Sequence, residues 1–185
     1  MNRLDSASGG GRDGAIARAL EAGGARRLFL MRHSEAAYGG ADFERPLTAR
    51  GRQLAAAQGG IIAQQYGNID LAIVSGAQRT RQTLEALKSV GVNFSAVQYC
   101  DDLYAAGPIW VLDQVIHEVD DSVHTLLVLF HQMSVGALAA ILTAPSERDK
   151  LGWGFPVATF ATGVTSSSWH NLKQWQHVAS YQPAT

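Results

Sequence analysis

The sequence predicts an α/β domain of three layers, α/β/α, with a mostly parallel central sheet and an antiparallel edge strand. Three observations predict it. Short continuous apolar runs recur at Leu28–Met31, Leu71–Val74 and Leu126–Phe130. Runs of this length without alternation suit strands buried on both faces, as in a parallel sheet. Helix-like segments lie between them, which gives the strand–helix alternation of right-handed crossovers. The C-terminal part departs from this alternation, and Val157–Thr165 and Trp175–Tyr181 read as strands around a Ser-rich turn.

The elements follow in chain order. The strand at Leu28–Met31 is expected to end in Arg32-His33-Ser34-Glu35. A helix opens at Leu47-Thr48 and runs to about Tyr66, with Leu54, Gln58, Ile61, Ile62 and Gln65 at helical spacing. Thr48 suits the N-cap, where its hydroxyl accepts from a free backbone N–H. After the strand at Leu71–Val74 and Ser75, a second helix is expected over Gln78–Val90. A further strand is expected near Phe94–Tyr99. A third helix is expected over Pro108–Val119, with Pro108 in its first turn. Ile109, Leu112, Val115, Ile116 and Val119 form its apolar stripe. After the strand at Leu126–Phe130, a fourth helix covers about Ser134–Thr143. Trp153, Trp169 and Trp175 read as core or edge packing, and Trp110 borders the third helix's stripe.

The chain has 185 residues, 46% hydrophobic and 17% charged, which is globular and fits one domain. Six of its 19 glycines fall in the first 24 residues. Residues 1–25 are therefore expected to form a flexible extension, with a short helix possible at Ala15–Ala22. Residues 26–185 form the domain. The net charge of −1 leaves no global basic field, so no nucleic-acid partner is expected. No apolar run is long enough to span a membrane. No membrane partner is expected, and a cytoplasmic location is. Cys100 is the single cysteine. This excludes an intrachain disulfide and zinc sites built on several thiolates.

In open α/β sheets, ligands bind beyond the carboxyl ends of the strands. Here those ends carry Arg32 and His33, then Ser75 followed by Arg79 at a helix start, then His131. Two histidines and two arginines thus converge from distant parts of the chain. Arginine is a planar fork of donors matched to phosphate oxygens. Histidine can attack phosphorus and carry the phosphoryl group. Phosphoryl transfer needs chiefly positioning and charge stabilisation, which fixed cationic donors supply without a metal. The arginines are also expected to favour the neutral, nucleophilic imidazole at His33.

These segments resemble a known family. Arg32-His33-Ser34-Glu35 is similar to the R-H-G motif of the histidine phosphatase superfamily, the phosphoglycerate mutase-like proteins. Arg45-Pro46-Leu47-Thr48-Ala49-Arg50-Gly51 resembles the R-P-L-T-x-x-G segment of its short branch, which contains the SixA-type phosphohistidine phosphatases. Ser75-Gly76-Ala77-Gln78-Arg79-Thr80-Arg81-Gln82-Thr83 resembles S-P-A-x-R-x-x-Q-T, with Gly76 in place of proline. Asp102-Leu103-Tyr104 carries its L-Y element, and Phe130-His131-Gln132-Met133 stands where the family has G-H-N-P.

The resemblance implies a phosphoglycerate mutase-like fold and a phosphatase working without metal or organic cofactor. His33 would be the phosphorylated nucleophile, Arg32 and Arg79 the phosphoryl clamp, and His131 a contact to the same group. Arg45 would be a further phosphate or substrate contact. The expected substrate is a phosphorylated protein, carrying phosphohistidine, or else a small phosphate ester. A module that binds phosphate without turnover is the rival reading. Two departures motivate it. Phe130 replaces glycine, where a ring is expected to crowd the pocket or re-aim His131, and no general acid is evident. Glu35, Asp101 and Asp102 are acid candidates by proximity alone. His117, His124, His170 and His177 carry no motif.

Overall fold

The computed structural model of the protein describes residues 24–184. The expected helix at Ala15–Ala22 lies outside the described residues, as does all but the last two residues of the expected extension. The strands are β1 (Arg26–Arg32), β2 (Ile69–Ser75), β3 (Phe94–Cys100), β4 (Thr125–Phe130), β5 (Phe160–Thr165) and β6 (Gln176–Tyr181). They form one sheet in the order β3-β2-β4-β1-β5-β6. β1, β4, β2 and β3 run parallel, whereas β5 and β6 pair antiparallel at the far edge. The helices are α1 (Ala49–Tyr66), α2 (Gln78–Ser89), α3 (Pro108–Val111) and α4 (Ser134–Leu142). The predicted α/β class and antiparallel edge are both present.

The apolar runs bury both faces of the sheet, as continuous patterning requires. Leu28, Leu30, Leu126, Val128 and Phe130 face one way, against Val115, Ile116, Leu138 and Leu142 of the α3 and α4 side. Phe29, Met31, Leu127 and Leu129 face the other way, against Ile62, Leu84 and Leu87 of α1 and α2. Trp169 and Trp175 are fully buried, as expected of core packing. Trp175 lies against Gly163, where a Cβ would come within 2.7 Å of the indole. Trp153 departs from expectation: it is 97% exposed in the loop before β5.

The third helix also differs from the regular one expected. After one α-turn it widens into a π-helical stretch, Leu112–Ile116, closed by His117 N–H donating to the Leu112 carbonyl at 2.9 Å. The wider turn keeps Leu112, Val115 and Ile116 buried and leaves Ile109 half exposed. Among the described residues, no helix is long and apolar enough to cross a membrane.

Two features of this topology build the site. β4 enters the sheet between β2 and β1, so chain segments far apart in sequence end side by side. The register sets Arg32 opposite Phe130 and Val74 opposite Leu129. His33, His131 and Ser75 therefore all emerge at one carboxyl edge, where an open sheet binds ligands.

Candidate active site

His33 follows β1 directly. Its backbone is held from both sides: its N–H donates to the Phe130 carbonyl at 3.1 Å, and its carbonyl accepts from Ala158 N–H at 3.1 Å. Its side chain is oriented by its own neighbour. His33 Nδ1–H donates to the Ser34 carbonyl at 2.7 Å. A carbonyl can only accept, so Nδ1 carries the proton and Nε2 keeps a free lone pair. That is the tautomer a nucleophile requires. Ser34, buried, has its N–H on Thr83 Oγ1 at 3.0 Å and its hydroxyl on the Gly51 carbonyl at 2.6 Å. The loop after β1 is thus pinned to α1 and α2.

His131 lies across from it. The two imidazole centroids are 5.1 Å apart at 54°. His131 Nε2 is hydrogen-bonded to Ser75 Oγ at 2.8 Å, which joins the ends of β4 and β2. Its Nδ1 is buried with no protein partner. Arg32 shows the same pattern: one terminal nitrogen donates to the Phe155 carbonyl at 2.8 Å, while its Nε is buried and unpartnered. Buried polar atoms are normally satisfied. Two such orphans, at the ends of the neighbouring strands β1 and β4, are groups whose bonding a polar ligand would complete.

The electrostatics agree. His33 is drawn from 6.5 down to about 3 and His131 to about 4, in both cases mainly because burial penalises the charged ring. For His33 the Ser34 hydrogen bond opposes this, and the fields of His131, Arg79 and Arg32 add to it. The arginines act in the expected direction, but burial outweighs them. A His whose native pKa is lowered stabilises the fold above its unfolded value, and that stability is lost as pH falls toward the native value. The two rings should therefore cost thermal stability as pH falls from about 6.5, His131 down to about pH 4 and His33 down to about pH 3, and none above about pH 7. Melting curves across that range, with NMR titration of the His33 ring, check this. A His33 midpoint near 6.5, the ordinary value, would contradict it.

Phe130 does not crowd the pocket. It shares the inward parity of Leu126 and Val128 and is completely buried in the α3–α4 core. It turns away from the site, and His131 faces His33.

Arg79 lies in the first turn of α2 and is 7% exposed. One terminal nitrogen donates to the Asp42 carbonyl at 2.6 Å and the other to Asp42 Oδ2 at 3.0 Å. Arg45 sits one step removed: its Nε donates to the Ala37 carbonyl at 2.6 Å and a terminal nitrogen to Asp42 Oδ1 at 2.8 Å. Tyr104 also donates its hydroxyl to Asp42, and its ring lies 5.3 Å from that of His131. The Tyr104, Arg45 and Arg79 donors hold the Asp42 carboxyl well below the usual carboxylate range.

Asp42 is thus a site residue that the sequence alone does not indicate. Its only local signal is the three-residue spacing to Arg45. The three acid candidates fare differently. Glu35 accepts from Thr48 at 2.6 Å and Arg50 at 3.2 Å, bracing the start of α1. Asp101 lies across Gly76, where a Cβ would come within 1.7 Å of its carboxylate. The absent proline side chain is what gives Asp101 this place. Asp102 is exposed. Among the described residues, no three His, Cys, Asp or Glu side chains cluster as a metal site.

No protein-family model matches the chain. An uncharacterized protein of Mycobacterium tuberculosis is 34% identical over 150 residues, covering 77% of this chain and 92% of that protein. Phosphohistidine phosphatase SixA of Escherichia coli is 27% identical over 152 residues, covering 81% and 92%. A structure assigned as phosphohistidine phosphatase SixA of Nakamurella multipartitia superposes with a TM-score of 0.74 at 32% identity, covering 88% of this chain and 98% of that one.

Proposed function

Since the chain belongs to the histidine phosphatase superfamily, in its short SixA-type branch, and is a phosphatase of that superfamily, we propose that it removes phosphate from protein phosphohistidine through a phospho-His33 intermediate. The observation that carries the reading is the free Nε2 of His33, on a ring 5.1 Å from that of His131, together with the buried, unpartnered Nε of Arg32 and Nδ1 of His131. In the first step, Nε2 attacks phosphorus and the substrate's P–N bond breaks. Arg32 Nε–H and the Arg79 guanidinium donate to the phosphoryl oxygens as charge spreads onto them. With Ser75 donating to its Nε2, His131 carries its proton on Nδ1 and adds a third donor. In the second step, water attacks phospho-His33, its P–N bond breaks, and inorganic phosphate leaves. Fixed arginines supply the positive charge, so no metal is required.

The leaving group decides the substrate class. A phosphohistidine ring protonated on its second nitrogen departs as neutral imidazole and needs no enzyme acid. An alkyl phosphate needs one. Asp42 is ionised and Glu35 is committed to Thr48 and Arg50, which supports phosphohistidine. A second reading, a small phosphomonoesterase, rests on Asp101, whose carboxylate fills the space above Gly76.

The test uses a phosphohistidine protein, an aryl phosphate and an alkyl phosphate, all in EDTA. We expect an acid-labile phosphoryl group on His33 by mass spectrometry after rapid quenching. We also expect phosphohistidine to be preferred and Asp101→Asn to leave that activity within about twofold. A tenfold loss in Asp101→Asn confined to the alkyl phosphate would move the substrate to a small ester. Anion binding with no phosphoenzyme and no turnover would leave a phosphate-binding module.

A further inference from the structure

Asp42 sits on the short 3-10 turn Asp42–Glu44, with half of its side chain open to solvent. Such a carboxylate is ordinarily solvated and makes little difference. Here it accepts from three groups that come from separate elements: Arg45 beside it, Tyr104 after β3, and Arg79 on α2. Its own carbonyl takes the second terminal nitrogen of Arg79. The guanidinium is therefore gripped at its outer end by two acceptors of one residue. That leaves Nε–H and the inner terminal N–H groups for a ligand, since the fork has five donors in fixed directions. Tyr104 closes the arrangement: its ring is 5.3 Å from the His131 ring and 5.5 Å from the Arg79 guanidinium carbon.

We propose that Asp42 is a positioning residue for phosphoryl transfer: it fixes the orientation of the Arg79 guanidinium. The inference rests on the proposed function, in which Arg79 clamps the phosphoryl group. Arginine offers its full bidentate geometry only when its plane is correctly turned, and a misplacement of about 1 Å can cost roughly 100-fold in rate. An unbraced Arg79 would swing on its long side chain and meet the phosphoryl oxygens with fewer of its donors.

A double-mutant cycle tests it, with wild type, Asp42→Ala, Arg79→Ala and the double variant. Two readouts are taken: kcat/KM on an aryl phosphate and the affinity for tungstate, an inorganic stand-in for phosphate. If Asp42 acts through Arg79, Asp42→Ala lowers kcat/KM by roughly 30-fold in the wild-type background. In the Arg79→Ala background it changes kcat/KM by less than about twofold. Asp42→Asn, which keeps one acceptor, recovers part of the loss. Losses that multiply in the double variant would overturn the proposal, because Asp42 would then act on the loop and not on Arg79. Equal activity of Asp42→Ala and wild type would also overturn it. Thermal melts exclude an unfolded Asp42→Ala protein, and Asp42→Asn with Arg79→Lys serves as the cycle if either alanine variant fails to fold. The tungstate arm separates the two ideas: a wild type that binds tungstate without turnover defeats the phosphatase reading but leaves the coupling measurable. A wild type that binds no tungstate defeats both.

Discussion

Turnover should fall by roughly 10⁴-fold or more in His33→Asn, while tungstate binding stays within about tenfold of wild type. Asparagine is the discriminating choice. Its amide nitrogen sits where Nδ1 sits and can still donate to the Ser34 carbonyl, the 2.7 Å bond that orients the ring. What it lacks is Nε2. The variant therefore keeps the loop, the backbone bonds to Phe130 and Ala158, and the donors of Arg32, Arg79 and His131. It loses only the atom that attacks phosphorus. Removing a buried ring with a lowered pKa should also flatten the loss of stability below pH 6.5. Single-turnover experiments with rapid quenching measure the loss directly. Turnover persisting in His33→Asn would mean that water attacks phosphorus without a covalent intermediate, and the proposed mechanism would fall.

The fold was largely legible because its signals are local. Strand interiors show as unbroken apolar runs, and Thr48 shows as a cap whose hydroxyl does accept from Gly51 N–H, at 2.8 Å. His33 and His131 were legible as a pair only through topology, since β4 must enter beside β1 before the two rings can meet. The direction of Phe130 could have been read from parity alone: it keeps step with Leu126 and Val128, which face the α3–α4 side. Other features had no local signal. Asp42 lies 37 residues from Arg79, and nothing in a surface loop marks a carboxylate whose partner arrives through space. The π-turn in the third helix depends on how Leu112, Val115 and Ile116 meet the core. The exposure of Trp153 follows from its place in a loop, where no periodicity assigns an inward face.

Phe130→Ala should cost about 3–5 kcal/mol of stability, the usual range for deleting a fully buried phenylalanine ring. For a domain of this size, that lowers the melting temperature by roughly 6–20 °C. The activity of the folded fraction should stay within about threefold of wild type. The two halves of this expectation separate two ideas about position 130. If the ring crowded the phosphate pocket, its removal would raise kcat/KM. Instead the ring fills the layer between β4 and the helices on its face, packed among Leu28, Leu30 and Phe155. The contribution of Phe130 to the site is made by its backbone, whose carbonyl accepts from His33 N–H at 3.1 Å, and alanine supplies that equally well. Phe130→Leu should be milder, costing less than about 1.5 kcal/mol if the site can repack. A glycine, as the family has here, would enlarge the cavity and add the entropy of an unconstrained backbone. Substituting it for the phenylalanine should move the melting curve far more than the chemistry.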